Sequence, residues 1–179
     1  MLQWLGGIGI IVIAIAIFPI LKIGGMQLFQ SEFSSKEEKV LPRTTKIATG
    51  IGFVYLLLTL LCSILLYSSG MSFFDSIAHG MTIIATGGFS TKDMSIGFFD
   101  SLYTELITIF FMITSSLPFI LLFQLLRGKL LDVIMSSQVQ FFLILILIIT
   151  IVVAFWLKRY YEVDFFQSLR ISAFAVTSI

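Results

Sequence analysis

The chain has 179 residues, of which 58% are hydrophobic and only 12% charged, and its mean hydropathy is +1.07. So little polar residue cannot cover a soluble domain, and the composition specifies an integral membrane protein. A net charge of +1 provides no broad basic face to follow phosphates, which argues against nucleic acid as a partner.

A bilayer core about 30 Å thick calls for roughly 20 apolar residues per helical span. The first such segment, Leu2 to Leu21, lacks the basic n-region and small-residue cleavage site of a secretory signal, so it reads as a span. Gly6, Gly7 and Gly9 near its outer end permit close helix contact. The loop 22–46 carries Lys22, Lys36, Lys39, Arg43 and Lys46, which makes it cytoplasmic by the positive-inside rule. A second span, Ile47 to Tyr67, contains Cys62, the only cysteine; no internal disulfide can form, and a small packing residue is expected there.

Phe73 to Ile84 is apolar but only about a dozen residues long, too short to cross and of the length of a re-entrant helix. A third span runs from Leu102 to Leu126, with Pro118 expected to kink it. The loop 127–138 carries Arg127 and Lys129 and returns to the cytoplasmic side, and Val139 to Leu157 forms a fourth span. Tyr67, Trp156, Tyr160 and Tyr161 near span ends serve as anchors at the outer interface. Phe165 to Ile179 reads as another short helix entering from outside. Ending there would leave a carboxylate near hydrocarbon, so both chain ends are expected to be cuts through a longer protein.

Residues 83–91, "IIATGGFST", form the exit of the short central helix. Gly87 and Gly88 are expected to allow positive φ, and such irregular backbone survives at membrane depth only where protein or water surrounds it. A short helix followed by an extended glycine-containing strand suggests a pore loop, in which successive carbonyls replace a cation's water shell. Ile84, Ala85, Thr86 and Gly87 then contribute mainly carbonyls, with the Thr86 hydroxyl fixing the loop or adding an acceptor. Ser90 and Thr91 help to tie the exit. The competing reading is a plain Gly-Gly turn between two helices. Repetition favours the pore: "VDFFQSLRISAFAV" echoes "MSFFDSIAHGMTII" in its Phe-Phe-x-Ser entry, although "FFDS" also occurs at Phe98 to Ser101 with no short helix after it.

Other polar residues receive plainer assignments. His79 reads as a neutral, hydrogen-bonded packing residue, with no acidic neighbour evident. Asp93 and Asp100 flank the outer mouth, and Asp100 is a ready N-cap for the third span. Glu105 is expected to stay charged by interfacial solvation, with no role in transport. There is no nucleophile-base-acid set, no metal-spaced His/Cys cluster and no phosphate-cradling loop, so the chain reads as a non-enzyme needing no cofactor.

Two long stretches carry a family resemblance: "LQWLGGIGIIVIAIAIFPILKIGGMQLFQSE" at Leu2 to Glu32 and "FFDSIAHGMTIIATGGFSTKDMSIGFFDS" at Phe73 to Ser101. With these the chain resembles the potassium-translocating subunit of the Trk/Ktr family, specifically the TrkH type, and a weaker similarity continues to Ile179. The resemblance implies an all-α membrane protein in which four membrane-pore-membrane units surround one path, each supplying a filter loop. Residues 1–21 correspond to the last span of unit one, 47–126 to the whole of unit two, and 139–179 to the span and pore helix of unit three. Ala85, Thr86 and Gly87 match the second filter, with potassium expected at Ala85 and Thr86, and Gly88, Phe89, Ser90 and Thr91 form its supporting "GGFST" exit. The family further implies potassium uptake across the bacterial inner membrane, with sodium as the other candidate ion. It also implies a homodimer of full-length subunits and a cytosolic nucleotide-binding regulatory subunit of TrkA type, contacting the 22–46 loop. The first, third and fourth filters and the gating loop are not among these residues, so the chain alone is expected not to form a complete selective path. The alternative is a non-conducting membrane protein that binds full-length transport subunits.

Overall fold

A computed structural model describes residues 2–7, 9, 40–118, 121, 122, 124, 128, 130–161 and 164–179. The described elements are helices throughout, with no strand among them. Residues 2–7 are helical, and the remainder of the expected first span and most of the 22–46 loop lie outside the described residues. Then follow α1 (Val40–Ser68), α2 (Phe73–Ile84), a short 3-10 helix (Ser95–Phe99), α3 (Leu102–Ser116), α4 (Leu130–Ile134), α5 (Ser137–Tyr161) and α6 (Phe165–Ser178). Among the described residues two stretches, Thr49–Ser68 within α1 and Ser137–Tyr161, are long and apolar enough to cross a membrane.

The apolar residues of α1 and α5 run all round the helix. Phe53, Leu60, Ile64, Leu147 and Val152 are exposed, which suits a lipid-facing surface, while Tyr55, Cys62 and Leu66 turn inward. Cys62 is a free, fully buried thiol. It belongs to a core formed with Tyr55, Leu66, Met71, Ile83, Ile84, Ile96, Ile107 and Phe111, so α1, α2, the 3-10 helix and α3 share one apolar interior.

The middle helix α2 is set at both ends by local chemistry. Ser72 caps its start, accepting from the Asp75 amide at 3.1 Å while its hydroxyl donates to the Asp75 carboxylate at 2.9 Å. This is a reciprocal pairing of the capping-box kind, although the carboxylate takes the hydroxyl rather than a backbone N–H. The buried face comprises Asp75, Ser76, His79, Gly80, Ile83 and Ile84, a stripe at helical spacing, whereas Phe73 and Phe74 are exposed. Twelve residues span about 18 Å, well short of a hydrocarbon core.

The third span is broken rather than kinked. α3 stops at Ser116, Leu117 takes an extended conformation (φ −75, ψ 148), and helical hydrogen bonding resumes with Leu121 N donating to Pro118 O at 2.9 Å. Steric conflict with the proline ring disfavours helical backbone at the preceding residue, while proline itself suits the first turn of a new helix. The N-cap of α3 also differs from expectation. Asp100 adopts a left-handed conformation (φ 38, ψ 45) that closes the 3-10 helix, and the extended residue after it, Ser101, accepts from the Thr104 amide at 3.4 Å. An N-cap residue typically takes extended backbone, as Ser101 does and Asp100 does not, so capping falls one position along.

The second Phe-Phe-x-Ser segment, like the first, opens a capped helix. Asp164 caps α6, accepting from Phe166 N at 3.3 Å, and the Ser168 hydroxyl donates to Asp164 O, much as the Ser76 hydroxyl donates to Phe73 O. Ser76 and Ser168 are both fully buried.

Candidate functional site

The exit of α2 closes as a Schellman motif. Gly87 N donates to Thr82 O at 2.8 Å and Thr86 N donates to Ile83 O at 3.0 Å, with Thr86 itself left-handed at φ 50. These are the six-to-one and five-to-two bonds that end a helix, here with threonine where glycine is usual. A non-glycine residue in that region costs of order 1 kcal/mol and persists when its surroundings hold it there.

The conformational demand therefore differs from the sequence expectation. Gly88 takes positive φ (+75), as expected, but the other left-handed residue is Thr86 and not Gly87. Gly87 matters for space: a Cβ there would overlap the carboxamide of Gln3, which would have to move. That carboxamide donates from Nε2 to the Gly87 carbonyl at 2.7 Å and accepts at Oε1 from the Thr82 hydroxyl at 3.3 Å. Nothing local in the sequence signals Gln3, because its partners lie some eighty residues away.

The carbonyls can be accounted for one by one. Thr82 and Ile83 oxygens take the Schellman amides, and Ile83 O also accepts from the Ser115 hydroxyl of α3 at 3.3 Å. The Thr86 hydroxyl donates to Ala85 O at 2.8 Å, and Gly87 O is taken by Gln3. The Ile84 and Thr86 carbonyls have no hydrogen-bond donor among the described residues. Ile84 buries its side chain in the core, so backbone is all it can present, while Thr86, Gly88 and Phe89 are exposed.

Behind the exit lies a polar network. His79 is 1% exposed and uses both ring nitrogens: Nδ1 lies 2.8 Å from Asp75 O and Nε2 lies 2.8 Å from Ser90 Oγ. A carbonyl can only accept, so Nδ1 donates to Asp75 O; Ser90 Oγ pairs with Nε2 and accepts from the Lys92 amide at 3.1 Å. The ring also meets Phe99 edge-on at 5.6 Å. Asp75 is the hub, accepting from the Thr91 hydroxyl at 2.6 Å and the Ser72 hydroxyl at 2.9 Å, with Lys92 Nζ at 3.6 Å. Donation from Thr91, and next from Ser72, holds its carboxyl below the usual carboxylate range. The stabilisation it contributes is complete above the ordinary carboxylate pKa and is lost as pH falls through the lowered value. Asp75 thus belongs to the loop's support, and the Ser72-x-x-Asp75 spacing was its sequence signal.

Glu105 is not left to solvent. Arg170 of α6 clasps it in a two-pronged pair, Nε to Oε2 at 2.6 Å and Nη2 to Oε1 at 2.7 Å, tying the second short helix to α3. Both side chains are only partly exposed, at 31% and 18%. A double-mutant cycle with Arg170→Met and Glu105→Gln, followed by thermal denaturation in detergent, is expected to give a coupling of about 1–2 kcal/mol, between exposed and fully buried pairs. Additive effects would remove the clasp's contribution.

Comparison with known proteins bears on the whole chain. A family described as TrkH, cation transport protein, matches residues 1–156. The Trk system potassium uptake protein TrkH of Halomonas elongata is 41% identical over 99% of this chain, and TrkI of the same organism is 43% identical over 87%. TrkH of Escherichia coli K12 is 47% identical over 74%. The chain spans 38%, 32% and 28% of the lengths of these three relatives. With most of its length matched by the family and its described elements all helical and largely apolar, this chain belongs to the TrkH cation transport family, whose members are membrane transporters and not enzymes.

Proposed function

We propose that these residues form the second pore unit, with parts of its neighbours, of a subunit that takes up potassium across the bacterial inner membrane. The loop after α2 is its filter segment: Ile84, Ala85, Thr86 and Gly87 form the ion-binding stretch, in which the Ala85 and Gly87 carbonyls also accept from the Thr86 hydroxyl and Gln3, and Gly88 to Thr91 hold that loop in place. The observation that carries this reading is the end of α2. A helix too short to cross stops in a Schellman turn that leaves the Ile84 and Thr86 carbonyls without donors among the described residues, at the end where the helix dipole places about half a negative charge. A partly dehydrated cation is stabilised by that combination. The printed names of the relatives, all Trk system potassium uptake proteins, support potassium as the ion, with sodium the competitor to be tested. The full-length subunit acts as a homodimer regulated by a cytosolic nucleotide-binding partner of TrkA type, as in the family the chain resembles.

Complementation tests the reading. A full-length subunit carrying these residues is expected to restore growth of potassium-uptake-deficient bacteria at low potassium, with matching rubidium uptake, and the 179-residue chain alone is expected not to. A well-expressed full-length subunit that fails to rescue would overturn the transport reading and leave a non-conducting binding protein in its place.

A further inference from the structure

We propose that Gln3, contributed by the helix preceding this pore unit, is a positioning residue for the filter loop and thereby a determinant of ion preference. The inference rests on the filter reading above. Two hydrogen bonds and the space at Gly87 place it. The carboxamide donates to Gly87 O at 2.7 Å, its other end accepts from Thr82 Oγ1 at 3.3 Å, and the missing Gly87 Cβ leaves the space the amide occupies. Gln3 therefore grips the loop on both sides of the turn, from the last turn of α2 to the residue after left-handed Thr86.

The helix that bears Gln3 is itself held. Trp4 Nε1 donates to Thr59 Oγ1 at 3.1 Å, the Tyr55 hydroxyl donates to Trp4 O at 2.9 Å, and the Trp4 and Tyr55 rings lie 5.4 Å apart. At Gly7 a Cβ would come 3.0 Å from the Tyr55 hydroxyl and 3.5 Å from Ala85 Cβ, so this helix runs close against the filter turn. An amide presented from a fixed helix sets the plane of the peptide it bonds, because the carbonyl accepts best near its own plane. The bonded carbonyl belongs to the Gly87–Gly88 peptide, joined through the Gly87 Cα to the Thr86–Gly87 peptide that Gly87 N anchors to Thr82 O, so holding it narrows the range of orientations open to the Thr86 carbonyl. Gln3 does not touch the ion; it limits how far the loop can tilt or widen to suit an ion of another radius. Coordination by carbonyls discriminates between cations only insofar as their number and spacing are maintained.

The test uses the full-length subunit carrying these residues. Gln3→Leu keeps the size of the side chain but removes donor and acceptor, and Gln3→Met does the same with an unbranched chain should the first fail to insert. Uptake of rubidium and sodium is measured per molecule at the membrane, over a range of concentrations. The ratio of rubidium to sodium uptake is expected to fall by roughly two- to tenfold, the factor set by one hydrogen bond of ordinary net strength. KM for rubidium should rise more than the maximal rate falls. Arg170→Met is the control: it loses the Glu105 clasp and some stability but retains the wild-type ratio. If Gly87→Ser alters the ratio and neither Gln3 variant does, the Gln3 proposal is overturned and the filter assignment stands. If none of the three alters it, the filter assignment itself fails. An equal change with Arg170→Met would reduce Gln3 to general packing and also overturn the proposal.

Discussion

Gly87→Ser in the full-length subunit is expected to damage potassium selectivity or flux far more than Gly97→Ser, although both changes add the same side chain. A Cβ at Gly87 overlaps the Gln3 carboxamide, whereas one at Gly97 meets nothing within 4 Å. The far end of Gln3 is flexible and yields, so the variant folds, but yielding breaks the bonds to Gly87 O and Thr82 Oγ1 and frees the loop. Neither glycine is at positive φ, so backbone strain does not separate the two variants. A change of about 1.4 kcal/mol in the difference between the binding energies of two ions alters equilibrium discrimination tenfold. Relative rubidium and sodium uptake at equal membrane abundance checks it, and unchanged flux and preference in Gly87→Ser would return residues 83–91 to an ordinary turn.

Gly80→Leu should prevent the short helix from seating at all. Gly80 lies in the middle of α2, where glycine costs about 1 kcal/mol in helix propensity relative to alanine, yet alanine does not fit without adjustment. A Cβ would collide with the Ser63 hydroxyl and come 3.2 Å from both Ser63 Cβ and the Ser63 backbone nitrogen on α1. The hydroxyl can rotate away; the α1 backbone cannot. Overpacking of this kind costs about 1–3 kcal/mol, and the larger leucine should reach the upper end or exceed it. The measurement is the yield and melting temperature of detergent-extracted subunit. Gly80→Ala should be the milder change, and combining it with Ser63→Gly should recover part of the loss. Wild-type melting in Gly80→Leu would mean that α1 and α2 do not pack through this contact.

Much of the helical plan was legible because it depends on local sums. The apolar runs that specify spans are additive in composition, and the bounds expected for the short helix, Phe73 to Ile84, coincide with those observed because Ser72 and the turn after Ile84 are local signals. The repeated Phe-Phe-x-Ser entry was likewise readable, since each copy is closed by bonds within four residues. Pro118 marked a defect, but whether it bends or breaks the helix depends on how the chain continues beyond it.

What the sequence by itself determined is the solvent, the helical class, the family and the position of a short helix with a glycine-rich exit, all of which follow from composition, length and motif. What only the tertiary structure decided is what each polar residue is for. Gln3 meets Gly87 across 84 positions, Glu105 meets Arg170 across 65, and Ser115 meets Ile83 across 32. No periodicity encodes such pairs. A buried or half-buried polar group must find a partner, and which one it finds is set by the packing of apolar helices that share no local signal with it. The same packing moved the steric demand at Gly87 from backbone angle to space, and the left-handed turn falls on Thr86, where the Schellman bonds hold it.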